Sequence, residues 1–382
     1  MNVYYSSPWV PVEWIEAHGL EPRGVWSAND FGRGALPLAA GVCAFSEAML
    51  RFAESHPEAA VIFTTACDQM RRSFDAFADA PGKRGFLFNL PATWQSSAAR
   101  RMFRSEMERL GRFLQAHGGQ APASEGLAPI IERRAWVRRR LRELASIGSA
   151  RQFARAVGRF HWDGSIDPPD PSPSPAAGSI PVAIIGGPLT ASQWGVLDLI
   201  EAAGARIVLN ATETGERSLT PFSELNDSFK EPSELPEGVG LRVQSRQRGS
   251  DTALELDIRT RHSIRKRRRR SALPAQSIFP TLELEASPDP FDFLVRNYFE
   301  NIVDVFQRPN TRLYSWLGER LTARGVRGIV LWIHTGCDLW RAEAQTLREA
   351  FRLPVLLLEA DEALAGSPRE AGRIQAFVEM LK

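Results

Sequence analysis

Short apolar runs of β-branched and aromatic residues recur along this chain, each followed by a polar break and an amphipathic stretch. Ala60-Val61-Ile62-Phe63 has the pattern of a buried parallel strand. Thr64-Thr65-Ala66 ends it, and Cys67-Asp68 opens a helix that continues through Gln69, Met70, Arg71 and Arg72. The same order returns at Gly328-Ile329-Val330-Leu331-Trp332-Ile333-His334-Thr335-Gly336-Cys337-Asp338: strand, Thr-x-Cys-Asp, helix. A second echo accompanies it. Glu13-Trp14-Ile15-Glu16-Ala17-His18-Gly19 precedes a strand at Gly24-Val25-Trp26-Ser27, and Asp198-Leu199-Ile200-Glu201-Ala202-Ala203-Gly204 precedes one at Arg206-Ile207-Val208-Leu209-Asn210. In both, a helix closes on Gly at the C′ position and a strand follows. The pattern predicts an internal duplication, two similar α/β units that each present one Cys-Asp at a strand end.

The remaining segments fill in around these. Tyr4 to Pro11 reads as a loop because of its two prolines, and Val12–His18 as a helix. Gly32, Gly34 and Pro37 mark a further loop. A helix is expected over Val42–Glu54 with Cys43 in its first turn, a strand over Phe86–Leu90, and a helix over Ser97–Ala116. From about Ser124 to Phe160 the chain is Arg-rich, with Leu127, Ile130, Ile131, Trp136, Leu141 and Leu144 at helical spacing, which suggests a small helical subdomain. Asp163–Ser179 is a Pro/Ser-rich linker. Beyond it lie a strand at Val182–Ile185, the turn Gly186-Gly187-Pro188 and a helix at Trp194–Ala203. Pro232–Leu284 is less regular. Helices over Phe291–Phe306 and Arg312–Arg324, a strand over Pro354–Glu359 and a helix over Arg373–Leu381 complete the chain. The division expected is an N-terminal α/β domain (1–120), a helical subdomain (121–165), a linker (166–180) and a C-terminal α/β domain (181–382).

Composition narrows the partners more than the chemistry. With Lys+Arg 47 against Asp+Glu 45, the net charge of +2 argues for no particular partner. The basic run Arg265-Lys266-Arg267-Arg268-Arg269-Arg270 has no matching basic face with interleaved aromatics, so a solvated loop is favoured and no nucleic-acid partner is expected. No signal-peptide pattern and no apolar run near the length of a membrane span is present, so a cytoplasmic protein without membrane association is expected.

Three cysteines far apart in sequence are not a disulfide framework. Cys43, Cys67 and Cys337 lack C-x-x-C spacing, and three unrelated buried thiols are one reading. The other is convergence in a crevice between domains, where helix dipoles stabilise thiolates and three of them suit an iron–sulfur cluster with one open iron better than a closed zinc site. His334 could join a zinc site or pair with a nucleophilic cysteine; on an apolar strand it is more often a core histidine. Gly186-Gly187 could approach a phosphate, although a plain tight turn accounts for it. No Walker-A, complete G-x-G-x-x-G, G-x-S-x-G or H-E-x-x-H sequence occurs, so any nucleotide-driven step would come from another protein.

An ordered set of short motifs resembles one family. Val10-Pro11-Val12-Glu13, the Cys43 helix, Thr65-Ala66-Cys67-Asp68, Gly215-Glu216-Arg217, Gly336-Cys337-Asp338 and Arg373-Ile374-Gln375-Ala376-Phe377-Val378-Glu379 are similar, in order and approximate spacing, to the 2-hydroxyacyl-CoA dehydratase and benzoyl-CoA reductase subunits of the D-component type. The resemblance implies two Rossmann-like (flavodoxin-like) parallel-sheet domains with a helical part, and a 4Fe–4S cluster held between them by Cys43, Cys67 and Cys337. It further implies an acyl-CoA substrate, a second related subunit in a homo- or heterodimer, and an ATP-dependent iron–sulfur activator that supplies single electrons. The implied reaction is one-electron reduction of the thioester followed by loss of water. Reduction of an aromatic ring, or electron transfer without turnover, are the alternatives. Ser6 and Ser7 align with a position near the substrate carbonyl in relatives and are the candidate catalytic residues.

Overall fold

The computed structural model describes residues 1–28, 42–79, 82–123, 125–145, 148–166, 178–221, 241–248, 251–258, 289–360 and 368–382. The first sheet contains β1 (Asn2–Tyr5), β2 (Glu21–Gly24), β3 (Ala60–Thr64) and β4 (Arg84–Phe88), in the order β2-β1-β3-β4 with every pair parallel. Strands β5 (Ile180–Gly186) and β6 (Ala205–Thr212) start the second unit, and β7 (Leu241–Arg248) pairs antiparallel with β8 (Asp251–Ile258) as a separate hairpin. Strands β9 (Gly328–His334) and β10 (Val355–Ala360) complete the second sheet, ordered β10-β9-β5-β6 and again wholly parallel. Numbered by chain order within each unit, both sheets run 2-1-3-4. That is the flavodoxin-like arrangement, and the duplication predicted from the repeats is present in the topology.

All residues of β3 and of β9 are buried, as expected of central strands covered on both faces. The covering helices are α1 (Val12–Ala17), α2 (Ala44–Ser55), α3 (Asp68–Ala78), α4 (Ser97–Ala116), α5 (Leu127–Leu144), α6 (Ala150–Asp163), α7 (Gly195–Ala202), α8 (Pro290–Asn301), α9 (Thr311–Ala323), α10 (Asp338–Phe351) and α11 (Pro368–Met380). Helix α4 has the limits its pattern predicts. Ser96 caps it by accepting from the Ala99 N–H at 3.1 Å, and Phe103, Met107, Leu110 and Leu114 put one buried stripe against the first sheet. Among the described residues no helix is long and apolar enough to cross a membrane.

Several elements differ from the sequence expectation. Asn2–Tyr5 is a strand, paired on both sides; the prolines at 8 and 11 lie beyond its end and do not disturb the ladder. The second strand is Glu21–Gly24 rather than Gly24–Ser27. Its pairing with β1 sets the register, and Val25–Ser27 turns into a short 3₁₀ segment that buries Trp26. Cys43 caps α2 instead of lying in its first turn. The irregular stretch 232–284 contains the β7–β8 hairpin; its basic run 265–270 lies outside the described residues, as do most of the Pro/Ser linker and the loop at 32–37.

Chain order and packing also part company. Helix α8 sends Phe293, Leu294, Val295, Tyr298 and Phe299 into the core of the first sheet, although it follows the β6 unit in sequence. Helices α5 and α6 pack partly with each sheet. Leu127, Ile131 and Ala135 join the first core, Ala150 and Ala154 the second, and Trp136, Leu141, Val157 and Phe160 form a cluster of their own with Leu219. A buried triad locks α1, α5 and α8 together: Arg138 pairs with Glu13, Tyr298 Oη donates to Glu13 Oε2 at 2.7 Å, and Arg138 Nη2 donates to Tyr298 Oη at 3.1 Å.

Candidate functional site

In a 2-1-3-4 sheet the chain turns opposite ways after its first and third strands, and ligands bind beyond the carboxyl ends at that point. Here those ends carry Ser6 and Ser7 after β1, Cys67 after β3, Gly186-Gly187 after β5 and Cys337 after β9. The Gly336-Cys337 turn of the second unit packs against Cys43 of the first, and the charges of both Cys43 and Cys337 reach Cys67.

Each cysteine caps a helix. Cys43 precedes α2 with φ −75° and ψ 159°, Cys67 precedes α3 with φ −147° and ψ 157°, and Cys337 precedes α10 with φ −83° and ψ 91°, all extended as N-caps are. Cys67 Sγ accepts from the Met70 N–H at 3.4 Å, and Cys43 Sγ lies 3.5 Å from Ser46 Oγ. Gly336, at φ +84°, brings the Cys337 turn against Cys43: a Cβ built on Gly336 stands 3.8 Å from both Cα and Cβ of Cys43. Phe45 and His334, from opposite units, pack as tilted rings with centroids 5.6 Å apart beside this contact.

Burial is the main influence on the Cys67 and Cys337 thiols. It raises Cys67 to about 12 and Cys337 to about 11, and the charges of Cys43 and of Glu213 act on both in the same direction. Among the described residues, no three of the His, Cys, Asp and Glu side chains gather around a single point as ligands of one ion would.

Glu213 is the residue that sequence reasoning missed. It follows β6, and its backbone N–H donates to the carbonyls of Gly186 and Gly187 at 3.2 and 3.3 Å. Thr212 beside it is buried and bonded to Asn210 Oδ1 at 2.7 Å, while Thr214 Oγ1 accepts from Leu189 N–H at 2.8 Å and donates to Leu189 O at 3.0 Å. The carboxyl group is raised to about 8, first by burial and then by the charge of Asp304; Arg217 and a hydrogen bond from Ser7 pull it the other way. The polar run Asn210-Ala211-Thr212-Glu213-Thr214 at the end of an apolar strand was its only signal in the sequence.

Arg217, from the Gly-Glu-Arg motif, builds the wall behind Glu213. Its guanidinium donates to Val303 O at 3.1 Å, to Gly186 O at 2.9 Å and to Asp304 Oδ2 at 2.5 Å, and lies 4.8 Å from the Trp340 ring. Glu216, next to it, takes a fork of bonds from Arg324 at 2.6 and 2.7 Å.

The serines divide. Ser7 reaches across to Glu213, whereas Ser6 Oγ points at Met70 Sδ, 3.8 Å away. His334 is buried, and Nε2–H donates to Pro188 O at 2.8 Å; burial lowers it to about 4, and Nδ1 has no hydrogen-bond partner among the described residues. Gly186 is required by packing. At φ +141° a Cβ there would lie 1.9 Å from Trp332 O, and the next N–H, of Gly187, donates to that same oxygen at 3.0 Å.

The family model of the 2-hydroxyglutaryl-CoA dehydratase D-component matches residues 9–158 and 275–381. The match takes in Cys43, Cys67 and Cys337 and leaves out Ser6, Ser7, β5, β6 and Glu213. No curated protein matches the chain. With well over half of its 382 residues matched, this chain belongs to the 2-hydroxyglutaryl-CoA dehydratase D-component family.

Proposed function

We propose that this chain is an iron–sulfur subunit of an enzyme resembling the radical 2-hydroxyacyl-CoA dehydratases, with Cys43, Cys67 and Cys337 holding a 4Fe–4S cluster. The observation that carries this reading is that all three cysteines stand at helix N-cap positions in two duplicated units, with Gly336, beside Cys337, packed against Cys43. Three soft donors suit a cluster ligated at three of its irons and fall one short of a closed zinc site. Burial and mutual charge disfavour the free thiolates. A cationic metal core offsets both, and the helix N-termini add to it.

When bound, such a cluster supplies a one-electron centre and a Lewis-acidic iron open to oxygen. The reaction is one-electron reduction of a 2-hydroxyacyl-CoA thioester followed by loss of water. An electron is needed because the β-proton of an ordinary thioester is too weakly acidic for a side-chain base. The absence of a Walker-A sequence favours delivery of those electrons by a separate ATP-hydrolysing activator, with a second related subunit completing the enzyme. The chain's own residues bind and orient. Ser7 hydrogen-bonds the Glu213 carboxyl, Arg217 fixes the Gly186 turn through its carbonyl, and Phe45 packs on His334 beside the Cys43–Gly336 contact.

The test is iron and acid-labile sulfide on protein prepared without oxygen. About four of each per chain is expected, with loss on Cys67→Ser or Cys337→Ser at unchanged melting temperature. Colourless wild-type protein that takes up no iron on reconstitution would sink the reading. With the cluster present, acyl-CoA turnover with an activator separates dehydration from ring reduction, and absence of turnover leaves electron transfer.

A further inference from the structure

We propose that the side-chain amide of Gln307 reads the 2-hydroxyacyl group of the ligand, Oε1 accepting from its hydroxyl and Nε2 donating to the adjacent carbonyl. The inference rests on the 2-hydroxyacyl-CoA reading above and deepens it by naming a residue that sets specificity.

Gln307 lies in the segment that joins α8 to α9, and its neighbours tie that segment to both units. On one side Asp304 Oδ2 accepts from Arg217 Nη2 at 2.5 Å, and Arg217 Nη1 donates to the carbonyl of Gly186, the last residue of β5, at 2.9 Å. On the other, the Arg308 N–H donates to Ala92 O at 2.7 Å, shortly past the end of β4, and Trp94 Nε1 donates to Pro309 O at 2.8 Å. Val303 and Val305 enter a core of the second sheet, and Phe306 packs on that of the first. Gln307 therefore stands between the carboxyl end of β5 in one sheet and that of β4 in the other, the side on which parallel sheets bind ligands.

The amide is buried at 1 % exposure, and neither Oε1 nor Nε2 has a hydrogen-bond partner among the described residues. Interiors rarely leave both ends of a carboxamide so, because each unpaired group carries its full desolvation cost. The polar groups beside it in sequence are already engaged: Asp304 with Arg217 and with the Phe306 N–H at 2.8 Å, Arg308 with Ala92 O and Glu343. The segment is fixed by its neighbours, and the amide alone keeps donors and an acceptor to spare. Geometry decides what fits. A carboxylate only accepts, and would set its charge against Oε1. A trans secondary amide turns its N–H and C=O to opposite sides and serves only one end. A 2-hydroxyacyl group carries a hydroxyl donor and a carbonyl acceptor on adjacent carbons, where both can face one side and meet both ends of the amide. Since the amide is screened from solvent, the ligand enters as the crevice opens and is held dry when it closes. There an analogue without the hydroxyl leaves Oε1 unpaired and is rejected.

Binding is measured by calorimetry on the full chain prepared without oxygen and without an activator, so that no turnover occurs. The probes are 2-hydroxyacyl-CoA thioesters with a short, a branched, an acidic and an aromatic chain, each beside its analogue lacking the hydroxyl. Wild type is expected to bind the tightest hydroxyacyl thioester about tenfold more strongly than its analogue, the worth of one buried hydrogen bond. Gln307→Met and Gln307→Leu, which remove the amide and keep the bulk, are expected to abolish that preference at an unchanged or higher melting temperature. Wild type that binds both thioesters alike, or variants that keep the preference, overturns the role of Gln307 and leaves the dehydratase reading standing. Marked loss of stability in both variants also overturns it, because the amide is then satisfied by buried water in the free protein. If no thioester of either series binds wild type, the substrate reading falls and this inference with it.

Discussion

Ser7, beyond the end of β1, donates a hydrogen bond to the carboxylate of Glu213, beyond the end of β6. The two residues belong to different sheets, and neither lies within the matched family segments. Their contact links the carboxyl end of a central strand of the first sheet to that of an edge strand of the second.

Without metal, the thiols will react slowly. With Cys67 raised to about 12 and Cys337 to about 11, the reactive thiolate is scarce at neutral pH. At pH 8 a thiol of pKa 12 is thiolate in ~1 molecule in 10⁴, against ~1 in 4 for an ordinary cysteine. Iodoacetamide labelling of metal-free protein, followed residue by residue with rising pH, is expected to modify both far more slowly than a cysteine peptide. Labelling of native Cys67 at the peptide rate would contradict this.

Gly186→Ala is expected to be severely destabilising. A methyl group there meets Trp332 O at 1.9 Å, and φ of +141° suits no L side chain. Parting β5 from β9 at this point strains the central pair of the second sheet, with a loss of about 3 kcal/mol or more. Gly195→Ala is the control. Nothing lies within 4 Å of its built Cβ, and it opens α7, so stability is expected to hold or rise by about 0.5 kcal/mol. Denaturant melts of both variants check the contrast.

Arg217→Met is expected to cost about 3–5 kcal/mol, because it leaves Asp304 buried without its cation and orphans the Gly186 and Val303 carbonyls. Lysine at 217 is expected to rescue little, since one ammonium cannot reach three acceptors set in a plane. Equilibrium unfolding of the two variants measures both effects.

Stability is expected to fall with acid from about pH 6.5. His161 is buried, its Nδ1 sits 2.9 Å from Tyr5 Oη, and burial holds it well below the ordinary histidine value; His18 is lowered too. The folded state therefore resists a proton that the unfolded chain accepts. The stability concerned is complete above the unfolded value and is lost as pH drops from there toward the folded values. Each such histidine contributes a slope of at most about 1.4 kcal/mol per pH unit. Urea melts from pH 7 to pH 5 check the slope, and His161→Gln is expected to flatten it.

Much of this architecture could be read from local pattern. Helix α4, the Ile-Glu-Ala-x-Gly helix stops and the strand–Thr-x-Cys-Asp–helix repeats each depend on spacing within about twenty residues, and each is found close to where the pattern puts it. Strand β1 escaped because its aromatic and β-branched residues are followed so soon by Pro8 and Pro11. Its partners β2 and β3, both later in the chain, make it a central strand, and that places Ser6 and Ser7 at a switch point.

By itself the sequence determined two α/β units of similar plan and three cysteines at helix starts, because periodicity, caps and chain breaks act over neighbouring residues. Only the tertiary structure decided that both sheets run 2-1-3-4, that α8 packs with the unit it does not follow, and that Gly336, beside Cys337, packs against Cys43 of the other unit. Those relationships arise when parallel pairing and burial bring distant strand ends to one side of a sheet, and no local period encodes which ends will meet.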